Sequence, residues 1–98
     1  MGDLAGKAAL VTGAQQGIGK AVAIAFAQAG ADVAINYLDG HAEAESVADA
    51  VRAAGRKAIL VQGDVSATSA PSAMVNATLA AFGRIDILVN NAGVFPRV

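Results

Sequence analysis

The stretch VTGAQQGIG places three glycines, Gly13, Gly17 and Gly19, within seven residues and directly after a compact apolar run. A tight turn would need them for their backbone freedom alone. A loop that a phosphate group must approach closely would need them because any side chain would block the approach. Two other polar marks follow apolar runs in the same way, Gly63-Asp64-Val65 and Asn90-Asn91-Ala92-Gly93. Asp64 is either a turn or capping residue or a carboxylate that accepts from a ligand N–H, and the paired amides are either a polar turn or a ligand wall. The glycine spacing is G-x-x-x-G-x-G rather than the commoner G-x-G-x-x-G, and it is not a P-loop, because Lys20 is followed by Ala21.

The elements that must position these residues come from periodicity. Ala8 to Val11, Asp32 to Ile35, Ala58 to Val61 and Ile85 to Val89 are short apolar runs that read as strands. They are continuous rather than alternating, as expected when helices cover both faces of a parallel sheet. Between them lie three helical patterns. Ile18, Val22 and Phe26, with Ala21 and Ala25, form the expected apolar face of the first, which Gly30 ends. Glu43 to Ala54 carries Val47 and Val51 and ends at Gly55. The third starts at a Thr68 or Ser69 cap, has Pro71 in its first turn and buries Val75, Leu79 and Phe82.

The order β-α-β-α-β-α-β predicts an α/β fold, a doubly wound parallel sheet with strand order 3-2-1-4. In such a sheet, ligands bind at the carboxyl ends of the strands beside the switch point between strands 1 and 4. The glycine loop follows strand 1 and Asn90 to Gly93 follows strand 4, so the two marked loops are expected to flank one crevice. There, a helix N-terminus offers unpaired N–H groups and about half a unit of positive charge. Bare backbone at Gly13 and Gly17 would admit a pyrophosphate, and Gly19 would let the helix pack closely.

Composition narrows the classes of function. The 98 residues suffice for one domain with a modest core, and 55% hydrophobic against 15% charged residues is globular. A formal net charge of -1 provides no attraction for nucleic acid or an anionic membrane, and the absence of cysteine excludes disulfides and thiolate metal sites. The start MGDLAGK lacks a secretory pattern, Gly6 stands where myristoylation wants Ser or Thr, and no apolar run approaches a membrane span. The sequon Asn76-Ala77-Thr78 falls inside a helical pattern and reads as a chance match. These features suggest a soluble, cytoplasmic protein without a metal.

Together, TGAQQGIG, the Asp64-Val65 pair and NNAG resemble the three successive nucleotide-site motifs of the short-chain dehydrogenase/reductase family. The flanking LAGKAALVTG and FGRIDILVNNAG are similar to its beta-ketoacyl-ACP reductase-like members, and the resemblance covers essentially the whole chain. It implies a Rossmann-type domain that binds NAD or NADP. Gly13, Gln15, Gln16, Gly17 and Ile18 would line the pyrophosphate and adenosine ribose, with Gly19 closing the motif. Asp64 would accept from the adenine amino group and the Val65 backbone would flank the ring. Asn91, Ala92 and Gly93 would pass under the ribose toward the nicotinamide, while Asn90 would tie strand 4 to its neighbours.

Asn36 and Tyr37, at the end of strand 2, stand where the ribose 2′-position is judged. A carboxylate there would repel a 2′-phosphate; Asn36 is neutral, which leans toward NADP, with use of both NADP and NAD close behind. No Arg or Lys stands at 37 or 38, and Asp39 lies slightly too far along to be the expected selector. The family's chemistry is hydride transfer with a carbonyl or alcohol carbon, using a serine and a Tyr-x-x-x-Lys pair. Tyr37 is the single tyrosine and its i+4 neighbour is His41, so no catalytic residue is expected here. Residues 1–98 would then be the cofactor-binding part of one domain without its catalytic part, inactive by itself. The alternatives are a nucleotide-binding module without chemistry, or a fragment that self-associates through the exposed edge of strand 4, as a homo-oligomer or with other chains.

Overall fold

The computed structural model describes residues 2–64 and 70–91. The elements run β1 (Ala8–Val11), α1 (Gly17–Gln28), β2 (Asp32–Tyr37), α2 (His41–Ala53), β3 (Ala58–Gln62), α3 (Ala70–Phe82) and β4 (Ile87–Val89). All strand pairs are parallel and the order is β3-β2-β1-β4, the doubly wound arrangement expected. Val11 stands opposite both Ile35 and Val89, which brings three carboxyl ends level on one side of the sheet.

The apolar runs are continuous because alternate residues serve opposite layers. Val11, Val33, Ile35 and Tyr37 pack with α1 and α2, where Ala23, Ala27, Val47 and Val51 meet them. Leu10 and Ala34 point the other way, onto Met74 of α3. Each fully buried Val, Leu or Ile contributes roughly 1.5–3 kcal/mol. Burial is complete along β1 and nearly so along β2, whereas β3 and β4 are only partly buried, with Gln62 and Leu88 exposed.

Two helix faces differ from expectation. In α1 the buried stripe is Gly19, Ala23 and Ala27, one position round from the expected row; Ile18, Ala21 and Ala25 face outward. Small residues win the inner face because they let the helix axis approach the sheet, while Val22 and Phe26 reach the core from the flanks. In α3 the buried pair is Met74 and Thr78, and Leu79 is 42% exposed. The Thr78 hydroxyl donates to the Met74 carbonyl at 2.8 Å, so its burial leaves no orphan. The expected Thr68 or Ser69 cap lies outside the described residues. The expected stop at Gly30 is met, with Ala31 N–H donating to Phe26 O and Gly30 N–H to Ala27 O.

β4 begins two residues later than expected because Asp86 works as its clamp. The Asp86 carboxylate accepts from the Ala8 N–H at 2.9 Å and from Arg84 at 2.7 Å on each oxygen. The Arg84 hydrogen bonds, then the Ala8 N–H, hold the Asp86 pKa below its ordinary 3.8. A carboxyl lowered in the folded state contributes stability that is present above the ordinary value and lost as pH falls through the folded one. The gap in melting midpoint between the wild type and Asp86→Asn should therefore be open at neutral pH and shrink below pH 3.8. A gap independent of pH would show that the carboxylate charge is not what the clamp uses.

Candidate functional site

At the carboxyl ends of the strands, the glycine loop is held by three side chains from three elements. Thr12 directly follows β1: its N–H donates to Val89 O at 3.0 Å, and its hydroxyl accepts from the Asn91 N–H at 3.0 Å. The Asn91 side chain donates to Gly13 O at 3.1 Å, and Asn90 Oδ1 lies 3.5 Å from the Thr12 hydroxyl. The loops after β1 and β4 are thus joined directly, although about 75 residues separate them in sequence.

Asn36 makes the third tie. Its Oδ1 accepts from the Gly13 N–H at 3.2 Å, and its Nδ2 donates to Val61 O and Gly63 O, each at 3.1 Å. Its own carbonyl accepts from the Ala14 N–H. At 2% exposure, this amide is a three-way pin between β1, β2 and β3. The Gly13 N–H is consequently occupied, and the donors left for an anion belong to the first turn of α1. There Gln16 is an extended N-cap without a side-chain hydrogen bond, and the first backbone bond back into the helix comes from Lys20 to Gln16 O.

The glycines divide the work. Gly17 has φ +61°, and a Cβ there would meet nothing within 4 Å, so the approach to the helix N-terminus is open. Gly19 does the opposite. A Cβ on it would stand 2.5 Å from both Gly13 O and Asn91 Nδ2, so its missing side chain is where helix, glycine loop and β4 loop meet. It packs beneath the loop and does not line the cleft.

A cleft of ≈ 490 Å³ opens above these loops, lined by Gly13, Gln15, Gln16, Gly17, Ile18, Asn36, Asp64 and Asn91 together with Leu38, Asp39 and Gly63. Eight expected residues are brought together there. Tyr37 is not among the lining residues: it is 4% exposed, packed in the core, and its hydroxyl hydrogen-bonds His41 Nδ1. Val65, Ala92 and Gly93 lie outside the described residues. Leu38, Asp39 and Gly63 were missed because β2 and β3 each run farther than their apolar runs, which shifts the following turns into the cleft. The signal available was the turn chemistry of Asp39-Gly40 before α2.

Chemically, the cleft combines an uncapped helix N-terminus, two carboxylates (Asp39 and Asp64) and two exposed apolar side chains, Ile18 at 75% and Leu38 at 55%. Gln15 Oε1 is buried with no hydrogen-bond partner among the described residues, an orphan in the cleft wall. The arrangement offers donors for an anion, acceptors for N–H or O–H groups and apolar walls for a flat ring. Among the described residues there is no group of three His, Cys, Asp or Glu able to hold a metal ion, and no helix long and apolar enough to cross a membrane.

A family model described as short chain dehydrogenase matches residues 7–98. An uncharacterised oxidoreductase of Methylorubrum extorquens is 50% identical over 97% of this chain, which covers 38% of that protein. The 3-oxoacyl-(acyl-carrier-protein) reductase of Staphylococcus aureus is 40% identical over 90% of the chain and 36% of its own length. A Burkholderia cenocepacia dehydrogenase solved with bound NADP superposes with a TM-score of 0.85 at 38% identity, over 89% of this chain and 34% of the other. The chain thus spans little more than a third of the length of these relatives.

Proposed function

The chain belongs to the short chain dehydrogenase family, and from that premise we propose that its cleft holds the adenosine diphosphate half of a nicotinamide dinucleotide, NADP or NAD. The observation that carries this reading is the uncapped first turn of α1 opening onto the same cleft as Asp64 and Asn91. The residues present fit such a group. The bare approach at Gly17 suits a pyrophosphate, and the N–H groups of Gly17 and Ile18 would receive it. The amides of Gln15 and Gln16 suit ribose hydroxyls, and the Gln15 orphan would gain a partner. Asp64 would accept from the adenine amino group, with Val65 beside the ring, and Asn91, Ala92 and Gly93 would lead toward the nicotinamide. Ile18 and Leu38 would lose exposed apolar area against the ligand.

When bound, the nicotinamide supplies hydride exchange with a carbonyl or alcohol carbon. What these residues contribute is binding and orientation. Tyr37 is not an acid/base for that exchange, because it is buried and engaged with His41. We therefore read residues 1–98 as the nucleotide-binding part of a Rossmann-type domain, working in the cytoplasm and without catalysis by itself. ADP-ribose should bind the purified chain saturably in calorimetry, with no sustained NAD(P)H-dependent carbonyl reduction. Absence of ADP-ribose binding would refute the cofactor reading, and turnover would refute the inactivity.

One observation favours self-association alongside binding. Among the described residues β4 ends the strand order, and its Leu88 is 54% exposed. An apolar edge invites pairing with another chain, so sedimentation of the same sample should show a species heavier than the monomer; a stable monomer removes this part.

A further inference from the structure

We propose that His41 is a proton-operated clasp on the turn between β2 and α2. Neutral, it holds the turn closed against Tyr37; protonated, it leaves Tyr37 for Glu45 and frees the turn. Tyr37 ends β2 and is 4% exposed in the core, while His41 is the first residue of α2 and its side chain is 62% exposed. The Tyr37 hydroxyl and His41 Nδ1 hydrogen-bond across residues 38–40, with the rings 5.5 Å apart, and His41 Nε2 lies 3.7 Å from Glu45 Oε1. An imidazole open to solvent thus stands between a buried phenol and an exposed carboxylate.

The direction follows from the partners each atom has. Tyr37 makes no other side-chain hydrogen bond among the described residues, so its O–H donates to Nδ1 and the ring proton sits on Nε2, toward Glu45. A proton gained from solvent therefore goes to Nδ1. The imidazolium has two donors and no acceptor, so the Tyr37 O–H loses the atom it donates to, while Nε2–H and Glu45 become an ion pair. The surrounding charges pull the same way. On α2 these are Glu43 and Glu45, with Asp49 and Arg52 farther along and paired to each other. The turn adds Asp39, β2 has only Asp32 at its far end, paired with Arg56, and β3 has no charged residue. On α1 the one charge is Lys20, which makes no ion pair among the described residues. A charged ring is thus drawn to carboxylates, and nothing anionic stands on the Tyr37 side.

What the clasp releases lies in the cleft wall. Leu38 O is held independently by Gln62 Nε2 at 3.1 Å and Tyr37 O by the Gly63 N–H at 2.9 Å, so β2 keeps its place when the ring departs. Asp39 makes no hydrogen bond or ion pair among the described residues, and Gly40 has no side chain to hold the turn. The Tyr37–His41 bond is what closes residues 39–40 between the sheet and α2. Asp39 lines the cleft, so opening the clasp loosens that part of the wall. The effect on a nucleotide rests on the cofactor reading above; the clasp itself does not.

The chain has one tyrosine and one histidine, so NMR reads both rings without ambiguity. The experiment compares about pH 8 with about pH 5, the span over which an imidazole changes charge. A nuclear Overhauser contact between the two rings is expected at the higher pH and should be lost at the lower. The methyl shifts of buried Leu10 and Val47 should stay unchanged, which checks that the fold is intact. In His41→Gln the Tyr37 ring shifts should no longer respond to pH, and in Glu45→Gln part of the contact should survive at the lower pH. A ring contact of equal strength at both pH values overturns the clasp, as does a Tyr37 response that persists in His41→Gln. A loss in Glu45→Gln as complete as in the wild type overturns the transfer to Glu45. ADP-ribose, titrated by calorimetry, should bind at least about threefold more weakly at the lower pH in the wild type and equally at both in His41→Gln. Equal affinities in the wild type overturn the coupling to the cleft. If ADP-ribose binds at neither pH, the cofactor reading falls and the ring contact alone decides the clasp.

Discussion

Asn36→Ala is expected to lower the stability of the chain by about 2–4 kcal/mol, because it leaves three part-buried backbone groups without this partner rather than merely removing a contact. The Gly13 N–H and the carbonyls of Val61 and Gly63 would lose their partner together. For a domain of this size, each kcal/mol moves the melting midpoint by about 4–8 °C, so a fall of more than about 8 °C is expected in circular dichroism. Asn36→Asp should do no better. It keeps the acceptor for Gly13 but sets a carboxylate against two carbonyl oxygens. Nucleotide affinity should fall with stability in both variants, since the same pin holds the loop that faces the ligand. A midpoint shift of less than about 2 °C in the alanine variant would mean that the three loops are held by something other than this amide.

Gly19→Ala is the second large effect, and its sign is diagnostic. At an open helical position, alanine in place of glycine gains about 1 kcal/mol from helix propensity. Here the new methyl would stand 2.5 Å from Gly13 O and Asn91 Nδ2, at the hydrogen bond that joins the two loops. Overpacking of this kind costs about 1–3 kcal/mol, and the backbone on one side cannot rotate away as a flexible side chain would. We expect a net loss of stability together with weaker ADP-ribose binding, both read on the same purified variant. A stabilised variant that binds normally would mean that the junction has room the geometry denies.

These two residues also mark the boundary of what could be read in the chain. Gly19 was legible as a packing glycine from its place after strand 1. Its partners, Gly13 O and Asn91, were not, because Asn91 is remote in sequence. Asn36 was legible as a residue of the site but not as its pin. An amide that donates to two carbonyls of β3 and accepts from the β1 loop can be recognised only once those strands lie side by side. The helix faces differed for a related reason. Periodicity favours the large apolar row Ile18-Val22-Phe26, whereas close packing on the sheet favoured the small row Gly19-Ala23-Ala27.

By itself, the sequence determined the element order, the parallel 3-2-1-4 sheet and the meeting of the glycine and Asn90-Asn91 loops. Apolar runs, turn residues and crossover handedness are local or chiral constraints that need no knowledge of distant contacts. Only the tertiary structure decided which polar groups remain for a ligand. It committed Asn36 and the Gly13 N–H to holding the loops, left the first turn of α1 uncapped, and turned Asp39 into the cleft. Hydrogen-bond satisfaction is settled between strands and loops remote in sequence, and a donor already occupied there is not available to a cofactor.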